Sequence, residues 1–452
     1  MADHDQLDRR VFLQTAGITA LWGAVGGGVA MATAQGAGAA SPWKGKFDFD
    51  TVYNRFGTDS IKFDRQLRLY GKGSVEVGMG IADMDFKAAP AITKALQQRV
   101  AHENWGYLDM PRPFIDGIVA WNKRRYGVDI NADQMVISGG VHPALMSALQ
   151  TFSPRGSKVL MLTPIYNGFY SDLNYLDLMA EESPMTLANG RYAIDFDDFE
   201  RRIGPDTGSF ILCNPHNPTG NCWSADDLMR LGEICLRRRV VVLADEIHCD
   251  FVTRGHNYVP FASLPNKAVV DNSLTFKAAS KSFGLAAHKI AWFYSTNDDY
   301  MARVKANHWI DLNTLGVVAN HAAYAGGEDW LDEAVEYIDG TQDFVEHYIK
   351  ANIPLIKHVK PQSTYLAWLD VTAVAERIGA RAQAAEATKI EGRRVTPESM
   401  IERFFVTNAK VHLNPGASFG LGGANRMRMN IATSRKLVER ALSHIAAALA
   451  KT

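Results

Sequence analysis

The chain has 452 residues, 47% hydrophobic and 21% charged, which is the composition of a globular protein with room for two or three domains. A formal net charge of −1 leaves no global field to draw it toward nucleic acid, and no basic stripe with interleaved aromatics runs along it. Four cysteines (Cys213, Cys222, Cys235 and Cys249) are too few for a disulfide framework and follow no metal-ligand spacing, so free thiols are expected and a metal site is not.

The first predicted element is an export segment over residues 1–34. Arg9 and Arg10 precede Phe12 and Leu13, then an apolar, glycine-rich run closes on Ala32-Thr33-Ala34. This resembles a twin-arginine bacterial signal with a small-x-small cleavage site, which implies a periplasmic protein exported in folded form. The glycines weaken the run as a permanent membrane helix, and an uncleaved anchor is the alternative.

Residues 35–80, with "FDFDTVYNRFGTDSIKFD", read as an arm and part of a small domain. Strands and helices then alternate through 81–325. "MVISGG" (135–140), "KVLMLTP" (158–164), "SFILCNP" (209–215), "RVVVLADE" (239–246) and "SLTFKAAS" (273–280) are short apolar runs, several ending in Gly or Pro. A helix over 224–238, with Ser224 as N-cap, separates two of them. This alternation predicts an α/β domain with a mostly parallel sheet covered on both faces. From 326 the texture changes to a long amphipathic helix with an expected interruption at Gly340, then a smaller α+β domain through 452. The stretch 377–400 is charged, alanine-rich and expected to be exposed.

The chemistry gathers at the strand ends, where ligands of open parallel sheets bind. "SGGVHPAL" offers bare backbone N–H groups at a helix start, where an anion can sit. "CNPHNPTG" (213–220) sets Asn217 in a tight proline turn, and "LADEIHCD" (243–250) ends a Val/Leu run in Asp245, a carboxylate that is costly without a cationic partner. "SKSFGLAAHK" (280–289) follows the next strand, so that Lys281 lies 36 positions after Asp245, about one strand–helix–strand unit. An amine, a buried acid and an anion cradle are what pyridoxal phosphate requires: the amine for its aldehyde, the acid for its ring nitrogen, and the N–H groups, hydroxyl and cation for its phosphate. Lys281 is therefore read as the Schiff-base lysine, with Ser280 and Lys289 at the phosphate.

On "NRFGTDSIKFD", "ADMDF" (82–86), "CNPHNPTG", "DEIHCD", "STYLAWLD" and "RMNIA" (428–432), the chain resembles the fold-type-I pyridoxal-phosphate enzymes of the class I/II aminotransferase superfamily, closest to their cystathionine β-lyase branch. The resemblance runs from about Phe47 to Ser434. It implies an aspartate-aminotransferase-like fold, pyridoxal 5'-phosphate as cofactor, a small amino-acid substrate and a homodimer with shared sites. It also implies residue roles. Lys281 is the acid/base at Cα, Asp245 pairs with the ring nitrogen, and Asn217 donates to the ring hydroxyl. Gly140 and Val141 give N–H groups to the phosphate, Tyr166 stacks on the ring, and Tyr107 reaches the phosphate of the neighbouring subunit. Arg428 holds the substrate carboxylate, with Arg426 as its rival. His248, where many aminotransferases have Tyr, either lines the site or takes part. Relatives continue "SK-T-F-N-L-A-G" where this chain has "SKSFGLAAHK", which bears on substrate preference. The implied reaction is β-elimination from an S-substituted cysteine such as cystathionine; an aminotransferase uses the same parts, and a non-catalytic binding protein is the third reading.

Overall fold

In the computed structural model, which describes residues 42–452, the apolar runs form one seven-stranded sheet. The expected export segment lies outside the described residues. The strands are β1 (Met135–Ser138), β2 (Lys158–Thr163), β3 (Met179–Pro184), β4 (Thr207–Cys213), β5 (Val241–Asp245), β6 (Ser273–Lys277) and β7 (Ala291–Tyr294). Their spatial order is β1-β7-β6-β5-β4-β2-β3. Only β7 runs antiparallel to its neighbours. All residues of β5 and β6 are buried, as strands covered on both faces must be.

Helices pack on the two faces through separate apolar clusters. One joins Leu145 and Leu149 of α1 (Val141–Phe152) to Val159, Leu243 and Leu274. The other joins Leu228, Leu231 and Ile234 of α2 (Ala225–Arg238) to Phe210 and Val242. Helix α2 opens on the expected Ser224, which forms a reciprocal capping box with Asp227.

The long helix, here α4 because α3 (Ala279–Ser282) precedes it, runs unbroken from Glu328 to Asn352. The expected interruption at Gly340 is absent. A Cβ there would come within 3.1 Å of Arg435 Nη2, and that guanidinium binds the Tyr337 carbonyl and Thr341 Oγ1. Gly340 thus makes room for a tertiary contact, and burial of Tyr337, Ile338 and Val345 outweighs its cost of about 1 kcal/mol in helix propensity.

The C-terminal part carries a small antiparallel sheet of β8 (Leu366–Asp370), β9 (Asn414–Pro415) and β10 (Arg426–Asn430), with β10 in the middle. The stretch 377–400, expected to be exposed, is only half so: it contains a helix, Ala380–Glu391, pinned by buried Ala380 and Ala384, and Val395, Glu398 and Met400 are also buried. Val77 and Gly78 pair in parallel with Val411 and His412, and Asn430 N donates to Met79 O. These contacts fix the arm against β10 and bring residues 80–85 to the carboxyl ends of β5 and β6. Among the described residues no helix is long and apolar enough to cross a membrane.

Candidate active site

Asp245 is the last residue of β5 and is only 5% exposed. Its carboxylate has one side-chain hydrogen bond, from Ile247 N to Oδ1 at 3.2 Å. Burial pushes it up to about 6, against the pull of that N–H and of His142 and Lys281. An acid so placed, with no ion-pair partner, is poised for a cationic ring nitrogen.

Lys281 projects from the single turn α3, just past the end of β6. Its Nζ donates to Ala82 O at 2.7 Å, the same carbonyl that accepts from Tyr365 OH at 3.1 Å. Burial first and Arg428 next push Lys281 down to about 8, with Asp83 and Asp245 opposing. An amine with that proton affinity is partly neutral near physiological pH and can attack a carbonyl or take a proton.

Asn217 and Arg428, the one in the proline turn after β4 and the other on β10, meet in the interior. Arg428 is 2% exposed; its Nη1 donates to Asn217 Oδ1 at 3.1 Å and its Nη2 to Gly80 O at 2.9 Å. With its oxygen taken, the Asn217 amide keeps its N–H groups to give. The guanidinium stacks 4.9 Å from the Phe419 ring, and its buried Nε has no partner. Burial drives it down to about 10. A buried guanidinium with an unpaired donor can take a carboxylate. The rival Arg426 instead pairs with Asp370 at 3.2 Å at the far end of β10.

The turn expected to hold a phosphate is built from backbone. Gly140 caps α1 with φ +134°, a conformation that favours glycine, and no side chain caps the helix, so its first N–H groups are free. Val141 is the first residue of that helix. Ser280 is half-buried on α3, and Lys289, at φ +48°, is exposed. Tyr166 packs edge-on to Phe169 at 5.4 Å and lies 5.7 Å from His142.

Three groups went unread in the sequence. His142 binds Asp172 Oδ2 at 2.7 Å, which raises its proton affinity. The ADMDF loop supplies Ala82 O and Asp83, and it is held by Arg55 to Asp83 at 3.0 Å and Asp85 at 2.9 Å, and by fully buried Lys62 to Asp85 at 2.6 Å. Tyr365, inside STYLAWLD, is fully buried. The motifs were visible, but which of their atoms face the lysine depends on the arm's course. His248 is 2% exposed and edge-on to Tyr365 at 5.7 Å, with Nδ1 unpartnered. Burial, then Lys281 and Arg428, push it well below the ordinary range, so it is a neutral imidazole. Tyr107 is not in this cluster: its side chain is fully exposed on the protomer surface.

The residues fit pyridoxal 5'-phosphate. The free N-terminal N–H groups of α1 suit its phosphate, the unpaired acid suits its ring nitrogen, the spare Asn217 donor suits its hydroxyl, and the depressed amine suits its aldehyde.

The family model described as aminotransferase class I and II matches residues 75–445. The chain is similar to cystathionine beta-lyase PatB of Bacillus subtilis (strain 168), with 34% identity over 407 residues that span 89% of this chain and all of that protein. Among solved structures it is similar to cystalysin from Treponema denticola, which contains pyridoxal 5'-phosphate: TM-score 0.81, 26% identity, 90% of this chain and 99% of the other. It is also similar to the pyridoxal-phosphate-bound C–S lyase from Staphylococcus hominis, with TM-score 0.78, 28% identity, and 90% and 100% covered.

Proposed function

The chain belongs to the aminotransferase class I and II family, and on that premise we propose that it is a pyridoxal-phosphate-dependent C–S β-lyase. It cleaves cystathionine or another S-substituted L-cysteine, with water, to a thiol, pyruvate and ammonia. The observation that carries this reading is similarity over the whole length of a cystathionine beta-lyase, in a chain whose Lys281, Asp245, Asn217 and Arg428 converge.

When bound, the cofactor supplies a ring that withdraws electrons from the substrate's Cα. The chain's residues do the rest. Arg428 receives the substrate carboxylate on its free Nε edge, which orients Cα toward Lys281. Lys281 Nζ, held down to about 8, takes the Cα proton and retains it close to the departing sulfur. Asp245, the unpaired carboxylate of β5, keeps negative charge against the ring nitrogen. Asn217 would hold the ring hydroxyl, and the N–H groups of Gly140 and Val141, with Ser280 and Lys289, would hold the phosphate. Neutral His248 and Tyr365 would line the pocket, and Tyr166 would pack on the ring.

Exposed Tyr107 supports a homodimer in which it completes the partner's phosphate end; sedimentation of the loaded chain at twice its monomer mass tests this. The Arg9-Arg10 pattern supports export by the twin-arginine route to the periplasm, tested by whether Arg9→Lys/Arg10→Lys retains the protein in the cytoplasm.

The decisive experiment measures thiol and pyruvate from L-cystathionine and a series of S-alkyl cysteines. Equal amounts of both are expected, falling by roughly a thousandfold or more in Lys281→Ala. Turnover that requires an added 2-oxo acid and releases no thiol would instead make the protein an aminotransferase.

A further inference from the structure

Segment 245–250 serves both sides of the sheet end. Asp245 and His248 act toward Lys281, whereas Glu246 and Asp250 bind groups behind it. Glu246 is fully buried and accepts from Phe261 N at 2.8 Å, from Asn214 Nδ2 at 3.3 Å and from Tyr258 OH. Asp250 is 8% exposed, accepts from Tyr126 OH and from Ser282 Oγ, and lies 3.4 Å from Arg125 Nε. None of these contacts enters the chemistry described above. One of them touches the residue next to Lys281.

Helix α3 has little to hold it. It is four residues long, has no side-chain cap, and is followed by Gly284 at φ +68°. Its hydrogen bonds are Phe283 N to Ala279 O at 2.9 Å and Leu285 N to Ser280 O at 3.0 Å. A single turn is unstable alone, because nucleation fixes several dihedrals for one bond. Phe283, the residue after the turn, packs against Trp121 and Trp330 with ring centroids 5.9 and 6.0 Å away. Within the turn itself, Ser282 is the one side chain with a hydrogen bond to the scaffold, apart from Lys281 on Ala82 O.

We propose that Asp250, acting through Ser282, is a positioning residue for Lys281: it holds the back of the one-turn helix so that the front keeps the amine on the Ala82 carbonyl. The inference rests on the reading of Lys281 as the cofactor lysine. Lys281 is faced by Arg428 from β10, Asp83 from the ADMDF loop, Asp245 from β5 and Lys289, with His142 and His248 nearby. Asp250 is faced by Arg125, Tyr126, Cys249 and Tyr324. Burial is the largest cause of the depressed proton affinity of Lys281, so freeing α3 admits water and raises that affinity toward an ordinary lysine's.

The test uses the full chain stripped of cofactor. Pyridoxal 5'-phosphate is returned across pH 6–10, the amine condenses with its aldehyde with loss of water, and borohydride supplies the hydride that fixes the bond. The mass of the Lys281 peptide then gives the capture rate. In Ser282→Ala and Asp250→Asn we expect capture roughly three- to tenfold slower at pH 7, with the midpoint of the rate–pH curve moved up by about one unit. Ser282→Thr, which keeps the hydroxyl, should match the unsubstituted chain. Should Asp250→Asn fail to fold, Ser282→Ala alone decides: unchanged rate and midpoint there overturn the proposal. An unsubstituted chain that fixes no cofactor on the Lys281 peptide sinks the underlying reading instead.

Discussion

The two ends of the site are made differently. At the end proposed for the substrate carboxylate, Arg428 and Asn217 are 2% and 3% exposed and come from segments 211 residues apart, and Arg428 donates to both Asn217 Oδ1 and Gly80 O. At the end proposed for the phosphate the donors would be backbone N–H groups after β1, and the one cation placed there, Lys289, is exposed. A buried cation with an unpaired Nε carries a desolvation cost that only a bound anion offsets. A solvated cation carries little cost and adds little affinity. Discrimination between substrates therefore belongs to the closed end, and tolerance to change belongs to the open one.

The closed end should break hardest. Arg428→Lys replaces a planar fork by a point charge and strands Asn217 Oδ1, so the loss should approach that for truncating one partner of a buried charge pair, about 2–5 kcal/mol. Steady-state kinetics on an S-alkyl cysteine should show a drop of about thirtyfold or more in kcat/KM, carried mainly by KM. A drop confined to kcat would place the carboxylate elsewhere and undo the contrast.

Asp245 sharpens the same contrast from the middle of the site. Its carboxyl is raised to about 6 from an ordinary 3.8, so between about pH 4 and 6 the folded chain holds a proton that the unfolded chain has released. Stability from this group is full below pH 4, falls as pH rises through that window, and stays lost above it. Asp245→Asn should therefore stabilise the stripped chain at pH 7, on the order of 2–3 kcal/mol, and flatten its stability between pH 4 and 6. The same substitution should weaken pyridoxal 5'-phosphate binding, because the amide carries no charge for the ring nitrogen. Denaturation with and without cofactor separates the two effects. A variant less stable than the parent in the stripped state would show that the carboxylate already has a partner.

Much of this was legible because short motifs fix local backbone. Asp245 ends an apolar run, Asn217 sits in its proline turn, and Lys281 follows the next strand, so topology alone brings these segments to neighbouring strand ends. The choice of Arg428 over Arg426 rests on the resemblance, because residues two apart on a strand share a face; what separates them is position along β10, where Arg428 lies between Trp368 and Asn414 in the buried middle and Arg426 lies at the end opposite Asp370. Gly340 was not legible, its helix being kept by packing against Arg435. The roles of Ala82, Asp83 and Asp250 depend on contacts across 30 to 200 residues, which no local pattern encodes.

The open end gives the smallest expected change and the sharpest test of its being open. With Lys289 solvated, Lys289→Ala should weaken pyridoxal 5'-phosphate binding by about 0.5–1 kcal/mol, a two- to fivefold rise in Kd at low salt. Screening should nearly erase that difference in 0.5 M salt, where the Debye length is about 4 Å. Backbone N–H groups at the start of α1 are unchanged by the substitution and should go on holding the phosphate at either ionic strength. A loss of a hundredfold that survives high salt would mean that Lys289 is enclosed in the assembled protein. The partner subunit would then close this end as the interior closes the other, and the contrast would belong to the single protomer alone.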